Sequence, residues 1–160
     1  MATIRALETS LAGSDLRELS FRLLNTPLYV PDVLRDTKRI METATKVFST
    51  CLQPFALVDK ANKLGGAFFV SDIIPEHEAT FYQWVWGDVI TPTTLPFMRG
   101  YIEECAGEYG LARVVARTPC VKCGHLLEHL GFKMEGRFAR GYKSGGRLHT
   151  LFQFRLLTSR

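Results

Sequence analysis

The chain has 160 residues, of which 46% are hydrophobic and 22% are charged. These values exclude a disordered or fibrous chain and predict a single globular domain over residues 1–160. No uncharged apolar run approaches the roughly 18 residues that a membrane-spanning helix needs, and the N-terminal MATIRALETS lacks the layout of a secretory signal. We therefore expect a cytoplasmic protein that contacts no membrane.

Charge is distributed unevenly along the chain. Residues 1–110 contain ten Lys and Arg against fourteen Asp and Glu, a net charge of −4, whereas residues 111–160 contain ten against two, a net charge of +8. The C-terminal part thus offers a positive surface to an acidic partner, which would be a coenzyme's phosphates, a nucleic acid or a protein. Four cysteines are too few for a disulfide scaffold, so we expect reduced thiols.

Hydrophobic periodicity and turn residues predict three strands and two helices in the first half of the chain. In chain order these are a strand at Thr3–Leu7, a helix with Ser14 or Asp15 as N-cap that runs to about Leu24 and is ended by Asn25-Thr26-Pro27, a helix starting at Pro31-Asp32, a strand at Phe55–Lys60, a turn at Asn62–Gly65 and a strand at Gly66–Ile74.

The second half predicts a strand, a long helix and a strand–helix–hairpin unit. The long helix is indicated by apolar residues at steps of three and four and by the glycine that ends it. In chain order the elements are a strand at Ala79–Trp86, a helix with Leu95, Met98, Ile102, Cys105 and Tyr109 on its apolar face, a strand at Leu111–Arg117, a helix from about Pro119 to Leu130, and a hairpin whose turn is Lys143-Ser144-Gly145-Gly146.

The strand–helix–hairpin unit carries a recognisable motif. Leu130-Gly131-Phe132, Glu135-Gly136 and Arg137 resemble the corresponding stretch of the GNAT superfamily of acyl-CoA-dependent N-acyltransferases. The predicted order β-α-α-β-β-β-α-β-α-β-β is also the order of elements in GNAT proteins. The resemblance implies an α/β (α+β) fold with a mixed, mostly antiparallel central sheet flanked by about four helices.

The resemblance also implies where acetyl-CoA would bind if the chain is active. The coenzyme would run along the fourth strand and place its pyrophosphate on the loop before the next helix, here Val89–Pro96. That loop has no glycine, and its two prolines remove two N–H donors. Thr93 or Thr94 is also expected to act as an ordinary helix N-cap. The cofactor-binding residues implied by the resemblance are Val89, Ile90, Thr91, Thr93, Thr94 and Cys120.

Two further positions differ from the family pattern. Cys120 stands where the family has an Asn, and Leu127 stands where it often has a Tyr that protonates the departing thiolate. A leucine has no proton to donate. Cys120 lies near a helix N-terminus beside Arg117 and Lys122, a setting that can lower a thiol pKa, but we favour the interpretation of a purely structural thiol.

Other titratable residues do not form a convincing site in the sequence. Cys120, Cys123, His125 and His129 invite a zinc or haem interpretation, but the two histidines lie about 140° and 180° around the helix from Cys120. We therefore predict no metal site. A solvated turn accounts for the titratable residues near the fourth strand, so we name no catalytic residue. These residues are Asp72, Glu76, His77, Glu78 and Asp88.

The C-terminal hairpin interleaves basic and aromatic side chains. Such interleaving occurs in proteins that bind single-stranded nucleic acid. Strand alternation alone also places aromatic side chains inward and charges outward, and we favour this interpretation. The basic surface then suits a protein partner with an acidic surface. The interleaved residues are Arg137, Phe138, Arg140, Tyr142, Lys143, Arg147, Phe152, Phe154 and Arg155.

Two functional hypotheses follow from the resemblance. The first is an acetyl-CoA-dependent N-acetyltransferase acting on an unknown amine, with backbone amides around Trp86–Ile90 polarising the thioester. The second is a non-catalytic binding or assembly protein with an eroded acetyl-CoA site. Its size, its N-terminal MATIR and its Gly-poor loop are loosely similar to GNAT-like internal virion proteins of short-tailed bacteriophages, which would place it in the host cytoplasm and the virion. We favour the second hypothesis because the loop, Asn and Tyr positions all differ together.

Overall fold

A computed structural model describes residues 1–10, 13–26 and 28–158 of the chain. The strands are β1 (Thr3–Ala6), β2 (Phe55–Val58), β3 (Leu64–Ile74), β4 (Glu78–Val85), β5 (Arg113–Thr118), β6 (Lys133–Ser144) and β7 (Arg147–Leu157). The helices are α1 (Ser14–Asn25), α2 (Thr37–Phe48), α3 (Thr94–Glu108) and α4 (Val121–His129), with a short 3₁₀ turn at Asp32–Leu34. Most of these bounds agree with the sequence prediction to within two residues, because apolar periodicity and turn residues mark most of the ends.

The seven strands form one sheet in the order β1-β2-β3-β4-β5-β7-β6. All neighbouring strands are antiparallel except β4 and β5, which run parallel. The predicted mixed, mostly antiparallel sheet with four helices is therefore confirmed. The parallel pair lies at the centre of the sheet, where the chain crosses over through α3.

Alternate residues of the strands face two separate cores, one on each side of the sheet. On β2, for example, Leu57 faces one core whereas Ala56 and Val58 face the other. Helices α3 and α4 cover the larger core with Met98, Ile102, Leu126, Leu127 and Leu130. Helices α1 and α2 cover the smaller core with Leu19, Leu23 and Ile40.

One predicted helix start and one predicted N-cap are wrong. The second helix does not begin at Pro31-Asp32, because the chain first makes the 3₁₀ turn and only then enters α2, where the Asp36 carboxylate accepts from the N–H of Lys38 at 2.9 Å. Asp32 instead accepts from the N–H groups of Gly145 and Gly146, which ties the loop before α2 to the distant hairpin. A contact this far apart in the chain leaves no local signal in the sequence.

The first helix is capped differently from the prediction as well. Its N-cap is Gly13, and Asp15 lies within the first turn. The buried Asp15 carboxylate binds Arg5 through two hydrogen bonds of 2.5 and 2.8 Å and also accepts from the N–H of Glu8. Arg5 lowers the pKa of Asp15, since the guanidinium stabilises the ionised carboxylate. Pro27, which was predicted to help end α1, lies outside the described residues.

The C-terminal hairpin is longer than predicted. Strand β6 continues to Ser144, which pairs with Arg147, so only Gly145 and Gly146 form the turn. Both glycines have positive φ, which a two-residue turn of this hand requires.

Within the described residues, no helix is long and apolar enough to cross a membrane.

Candidate functional site

The two parallel strands at the centre of the sheet separate. The pairing of β4 with β5 begins at Glu78 and Arg113 and ends at Thr80 and Val115. Strand β4 nevertheless continues to Val85 and β5 continues to Thr118, which pairs on its other side with β7. The last part of β4 therefore has no partner on its β5 side in the described chain. Backbone groups on that edge are free to bind a ligand, as in any unpaired strand edge.

A cavity of about 400 Å³ lies at the separation, on the side of the sheet that α1 and α2 cover. Strand β4 contributes Tyr82, Gln83 and Trp84, and the hairpin contributes Tyr142 and Leu151. Helices α1 and α2 contribute aliphatic side chains such as Leu19, Leu23, Ile40 and Val47. The walls are thus mostly aliphatic and aromatic, which is typical of a small-molecule site.

The charges around this cavity are few. No described lining residue is an aspartate or a glutamate, and Arg117 is the single cation among them. The Arg117 guanidinium donates to the side-chain oxygen of Gln153 at 2.7 Å. Of the five titratable residues considered as bases in the sequence, none lines the cavity. Two of them are engaged elsewhere, since Asp72 accepts from the Tyr82 hydroxyl and Glu78 accepts from Arg113.

Tyr29, in the loop before α2, reaches the unpaired part of β4. Its hydroxyl donates to the carbonyl oxygen of Val85. Burial raises the pKa of Tyr29 to about 12, with smaller contributions from the nearby thiols of Cys123 and Cys120. The hydroxyl therefore stays protonated at neutral pH and covers an acceptor that a ligand would otherwise use. The sequence gives no signal for this role, because Tyr29 and Val85 are far apart in the chain.

The loop before α3 holds most of the predicted coenzyme-binding residues. Val89 is buried against Gly65, and Ile90 is half-buried against the larger core. Thr94 is also buried, and its hydroxyl donates to the carbonyl of Val89 at 2.7 Å while it accepts from the N–H of Thr91 at 2.9 Å. Three of the predicted residues therefore hold the loop together from inside.

The N-cap residue of α3 is Thr93, one of the two threonines predicted for this position. Its side chain makes no cap hydrogen bond. The Thr91 hydroxyl oxygen instead accepts from the N–H groups of Thr93 and Thr94, both at 3.2 Å. This turn of the loop around Thr91 has no counterpart in the prediction from the sequence.

These hydrogen bonds use the backbone donors of the loop. The N–H groups of Thr91, Thr93 and Thr94 donate to threonine hydroxyls, and that of Leu95 donates to the carbonyl of Thr91 at 3.0 Å. Pro92 and Pro96 have no N–H. Residues 91–96 as described thus leave no backbone N–H for a pyrophosphate. The unpaired edge of β4 fits the extended arm of a coenzyme, whereas this loop does not fit its diphosphate.

Cys120 occupies a different position, at the start of α4. It is the N-cap of this helix, and its N–H donates to the hydroxyl of Thr118 at 3.0 Å. The Cys123 thiol, the first N–H groups of the helix and Lys122 lower the pKa of the Cys120 thiol to about 6. This direction agrees with the alternative that the sequence left open beside the favoured structural thiol. Leu127, on the same helix, is fully buried and packs in the larger core.

Metal ligation has no support from the geometry. Among the residues that the structure describes, no three His, Cys, Asp or Glu side chains form a group that would hold an ion. His125 and His129 are exposed on α4, and His125 lies 3.6 Å from Glu128 one turn later. All four cysteines are free thiols.

The sheet with its separated parallel strands defines the class of fold, which is that of the GNAT N-acetyltransferases. No family model matches the chain, and no curated protein matches it. Solved structures do match it over nearly their full length. A chimera of spermidine N-acetyltransferase SpeG from Vibrio cholerae with hSSAT is 20% identical, with 98% of this chain and 95% of that chain covered and a TM-score of 0.69.

Two other solved structures are similar to the same extent. The dodecameric spermidine N-acetyltransferase from Vibrio cholerae is 19% identical, covers 99% of this chain and 94% of its own, and has a TM-score of 0.68. The ribosomal-protein-S5-alanine acetyltransferase from Vibrio fischeri is 15% identical, covers 99% and 93%, and has a TM-score of 0.70. At these identities the likeness establishes the fold and leaves the substrate open.

Proposed function

We propose that the protein is an acyl-CoA-dependent N-acyltransferase. The observation that carries this proposal is the cavity at the point where β4 and β5 separate. The solved structures with the same fold named above are N-acetyltransferases, which supports the same chemistry. This favours the first of the two sequence hypotheses over the one that we preferred from the sequence alone.

The chain's own groups suggest how the reaction would proceed. A neutral amine would attack the thioester carbonyl, and backbone N–H groups near the end of β4 would stabilise the negative charge that develops on its oxygen. The C–S bond would then break, and the departing coenzyme A thiolate would take up the proton that the amine nitrogen loses. No proton can come from Leu127, because this side chain is aliphatic and fully buried. Catalysis would therefore depend on the positioning of the two substrates in the cavity rather than on a dedicated proton donor.

The lining of the cavity favours an acceptor amine that is attached to an apolar or aromatic group. Trp84, Tyr82 and Tyr142 supply aromatic surface for such a group. A polyamine carries several positive charges and needs carboxylates, and no described lining residue supplies one. We therefore propose a different acceptor class from the spermidine named for two of the similar structures.

A second candidate function is non-catalytic binding or assembly, with a phage virion as the proposed setting. The observation in its favour is the loop at residues 91–96, whose backbone donors are already used within the loop. The described edge strand β6 also exposes Lys133, Arg137 and Arg140, which suits a protein partner with an acidic surface better than a nucleic acid. In this case the protein would need no acetyl-CoA.

Calorimetric titration with acetyl-CoA and with free coenzyme A separates the two candidates. The enzyme proposal predicts micromolar binding of both and release of coenzyme A thiol when an arylalkylamine is added, with spermidine as a poorer acceptor. Absence of binding up to millimolar concentration would reject it and favour the assembly function.

A pair of variants locates the acceptor. Trp84→Phe changes the cavity wall and should raise the KM for the arylalkylamine. Trp86→Phe is the matched control, because Trp86 lies two residues further along the chain, packs in the same core and does not line the cavity. Equal effects of the two variants would contradict the assignment of the cavity to the acceptor.

A further inference from the structure

Two thiols lie together at the start of α4. Cys120 is the N-cap and Cys123 is the third residue of the helix, so the sequence reads Cys-Val-Lys-Cys across the helix start. Residues three apart on a helix are neighbours on its surface. The backbone of Cys120 is extended, with φ −98° and ψ 120°, and so lies outside the regular helix. This places both sulfur atoms in the same turn without requiring the helix to unwind.

The two thiols differ in exposure. Cys120 is half-buried, whereas Cys123 is 8% exposed and lines the cavity. An incoming reagent therefore meets Cys120 first, and Cys123 stays shielded beside it. The hydroxyl of Thr118 accepts a hydrogen bond from the backbone N–H of Cys120 and also interacts with the Cys123 thiol. The arrangement thus separates an attacking thiol from a resolving thiol.

The pKa values of the two thiols are shifted in opposite directions. The Cys123 thiol, the N–H groups at the start of α4 and Lys122 lower the pKa of Cys120 to about 6. The lowered pKa favours the thiolate, which is the nucleophilic form of cysteine. The pKa of Cys123 is raised because its thiol donates toward the Cys120 sulfur and because it is buried. Cys123 therefore keeps its proton while Cys120 reacts.

We propose that Cys120 and Cys123 form a redox-active dithiol that is oxidised by hydroperoxides to an intramolecular disulfide. The Cys120 thiolate attacks the terminal oxygen of the hydroperoxide, the O–O bond breaks, and the departing alkoxide or hydroxide takes up a proton. Cys120 is then a sulfenic acid. The Cys123 sulfur attacks the Cys120 sulfur, and the sulfenic oxygen leaves as water with the proton of Cys123. One hydroperoxide and two thiols thus give one alcohol or water, one further water and one disulfide.

This activity is independent of the acyltransferase proposal, because it needs neither acetyl-CoA nor an acceptor amine. The other two cysteines serve as controls within the same chain. Burial raises the pKa of Cys51, and it raises the pKa of Cys105 to about 11. Both thiols are therefore mostly protonated at pH 7 and should oxidise slowly.

The experiment treats the full chain with one equivalent of hydrogen peroxide at pH 7 and analyses it by peptide mass mapping. We expect a Cys120–Cys123 disulfide with a loss of two thiols per chain, reversed by dithiothreitol, while Cys51 and Cys105 remain reduced. The alkylation rate of Cys120 in the wild-type chain should have its pH midpoint well below that of Cys51, and Cys123→Ala should raise this midpoint, because it removes the thiol that contributes most to the lowered pKa. In the Cys123→Ala variant, which has no resolving thiol, a sulfenic acid should remain on Cys120 after peroxide treatment.

Two single substitutions, Cys51→Ser and Cys120→Ser, serve as controls for this experiment. Cys51→Ser should form the disulfide as the wild-type chain does, and Cys120→Ser should lose the rapid oxidation while it keeps the circular dichroism of the folded chain. A wild-type chain that keeps all four thiols overturns the proposal. A disulfide between two chains, or one that involves Cys51 or Cys105, overturns it as well.

Discussion

The N-termini of α3 and α4 follow the two strands that separate, yet they use their backbone donors differently. At α3, threonine hydroxyls accept from the N–H groups of the loop, so the helix start is closed to an anion. At α4, the residue in the N-cap position is Cys120, and the helix start stabilises a thiolate. The positive end of a helix therefore becomes a binding or reactive site only when local side chains leave it unsatisfied.

The largest expected effect concerns the part of α4 that packs in the larger core, in contrast to the helix start that holds Cys120. Leu127→Ala should lower the free energy of unfolding by about 2–5 kcal/mol, because it creates a cavity in the larger core. Leu127→Tyr introduces the side chain that GNAT proteins often have at this position but overpacks the core, at a cost of about 1–3 kcal/mol. Urea denaturation measures both, with Leu127→Met as the control of similar volume. A Leu127→Tyr protein that keeps wild-type stability would show that the position is not part of the core.

The next effect tests the closed start of α3. Thr94→Val removes the acceptor of the Thr91 N–H and the donor to the Val89 carbonyl, and should cost about 1–3 kcal/mol of unfolding free energy. Thr93→Val is the matched control, since Thr93 is exposed and should change stability by less than about 0.5 kcal/mol. Thermal and urea unfolding of both variants measure the difference. Equal stability of the two would mean that the buried hydroxyl does not hold the loop.

A smaller effect is the pH dependence of stability, which should differ between variants at the start of α4 and variants at the start of α3. The folded pKa of Cys120, about 6, lies below the value of about 8.5 for an unfolded thiol. Between these values the unfolded chain binds more protons, so the stability from the thiolate grows as pH rises and is lost as pH falls toward 6. The stability advantage of the wild-type chain over Cys120→Ser should therefore increase from pH 6 to pH 8. The cost of Thr94→Val, which involves no titrating group, should stay constant over this range.

The smallest effect concerns the unpaired edge of β4 and depends on the proposed function. Tyr29→Phe frees the carbonyl of Val85, and acetyl-CoA should then bind about fivefold more tightly, as expected for one hydrogen bond of about 1 kcal/mol. Tyr101→Phe is the control, because the Tyr101 hydroxyl bonds to Gln53 and Val70 away from this edge. Weaker binding by Tyr29→Phe would show that the hydroxyl contacts the coenzyme instead of competing with it.

Much of the fold could be predicted because its signals are local. The apolar face of α3 appears in the sequence as Met98, Ile102 and Cys105, and the end of α4 appears as Gly131, whose φ is +94°. Each signal depends on residues within one or two turns of each other. Most element bounds follow from such patterns, whereas the fold class was implied by the resemblance to GNAT proteins, and the structure confirms both.

The candidate site was predicted only in part. The lowered pKa of Cys120 is caused first by the Cys123 thiol and then by the helix start and Lys122, and the sequence reasoning used only the helix start and nearby basic residues. Thr93 is the N-cap residue of α3, as predicted, but its side chain makes no cap hydrogen bond, because the loop folds back and lets the Thr91 hydroxyl accept from both N–H groups. The lack of glycine and the two prolines suggested few free backbone N–H groups in this loop. Which hydrogen bonds occupy the remaining N–H groups depends on the three-dimensional path of the loop.

The sequence by itself determined the order of the strands and helices along the chain and the motif at residues 130–137, since periodicity and caps are properties of short segments. Only the tertiary structure decided where β4 and β5 separate, which side chains surround the cavity and that Tyr29 meets Val85. These features join residues far apart in the chain. Their positions depend on how the sheet and the helices pack together, which no single segment specifies.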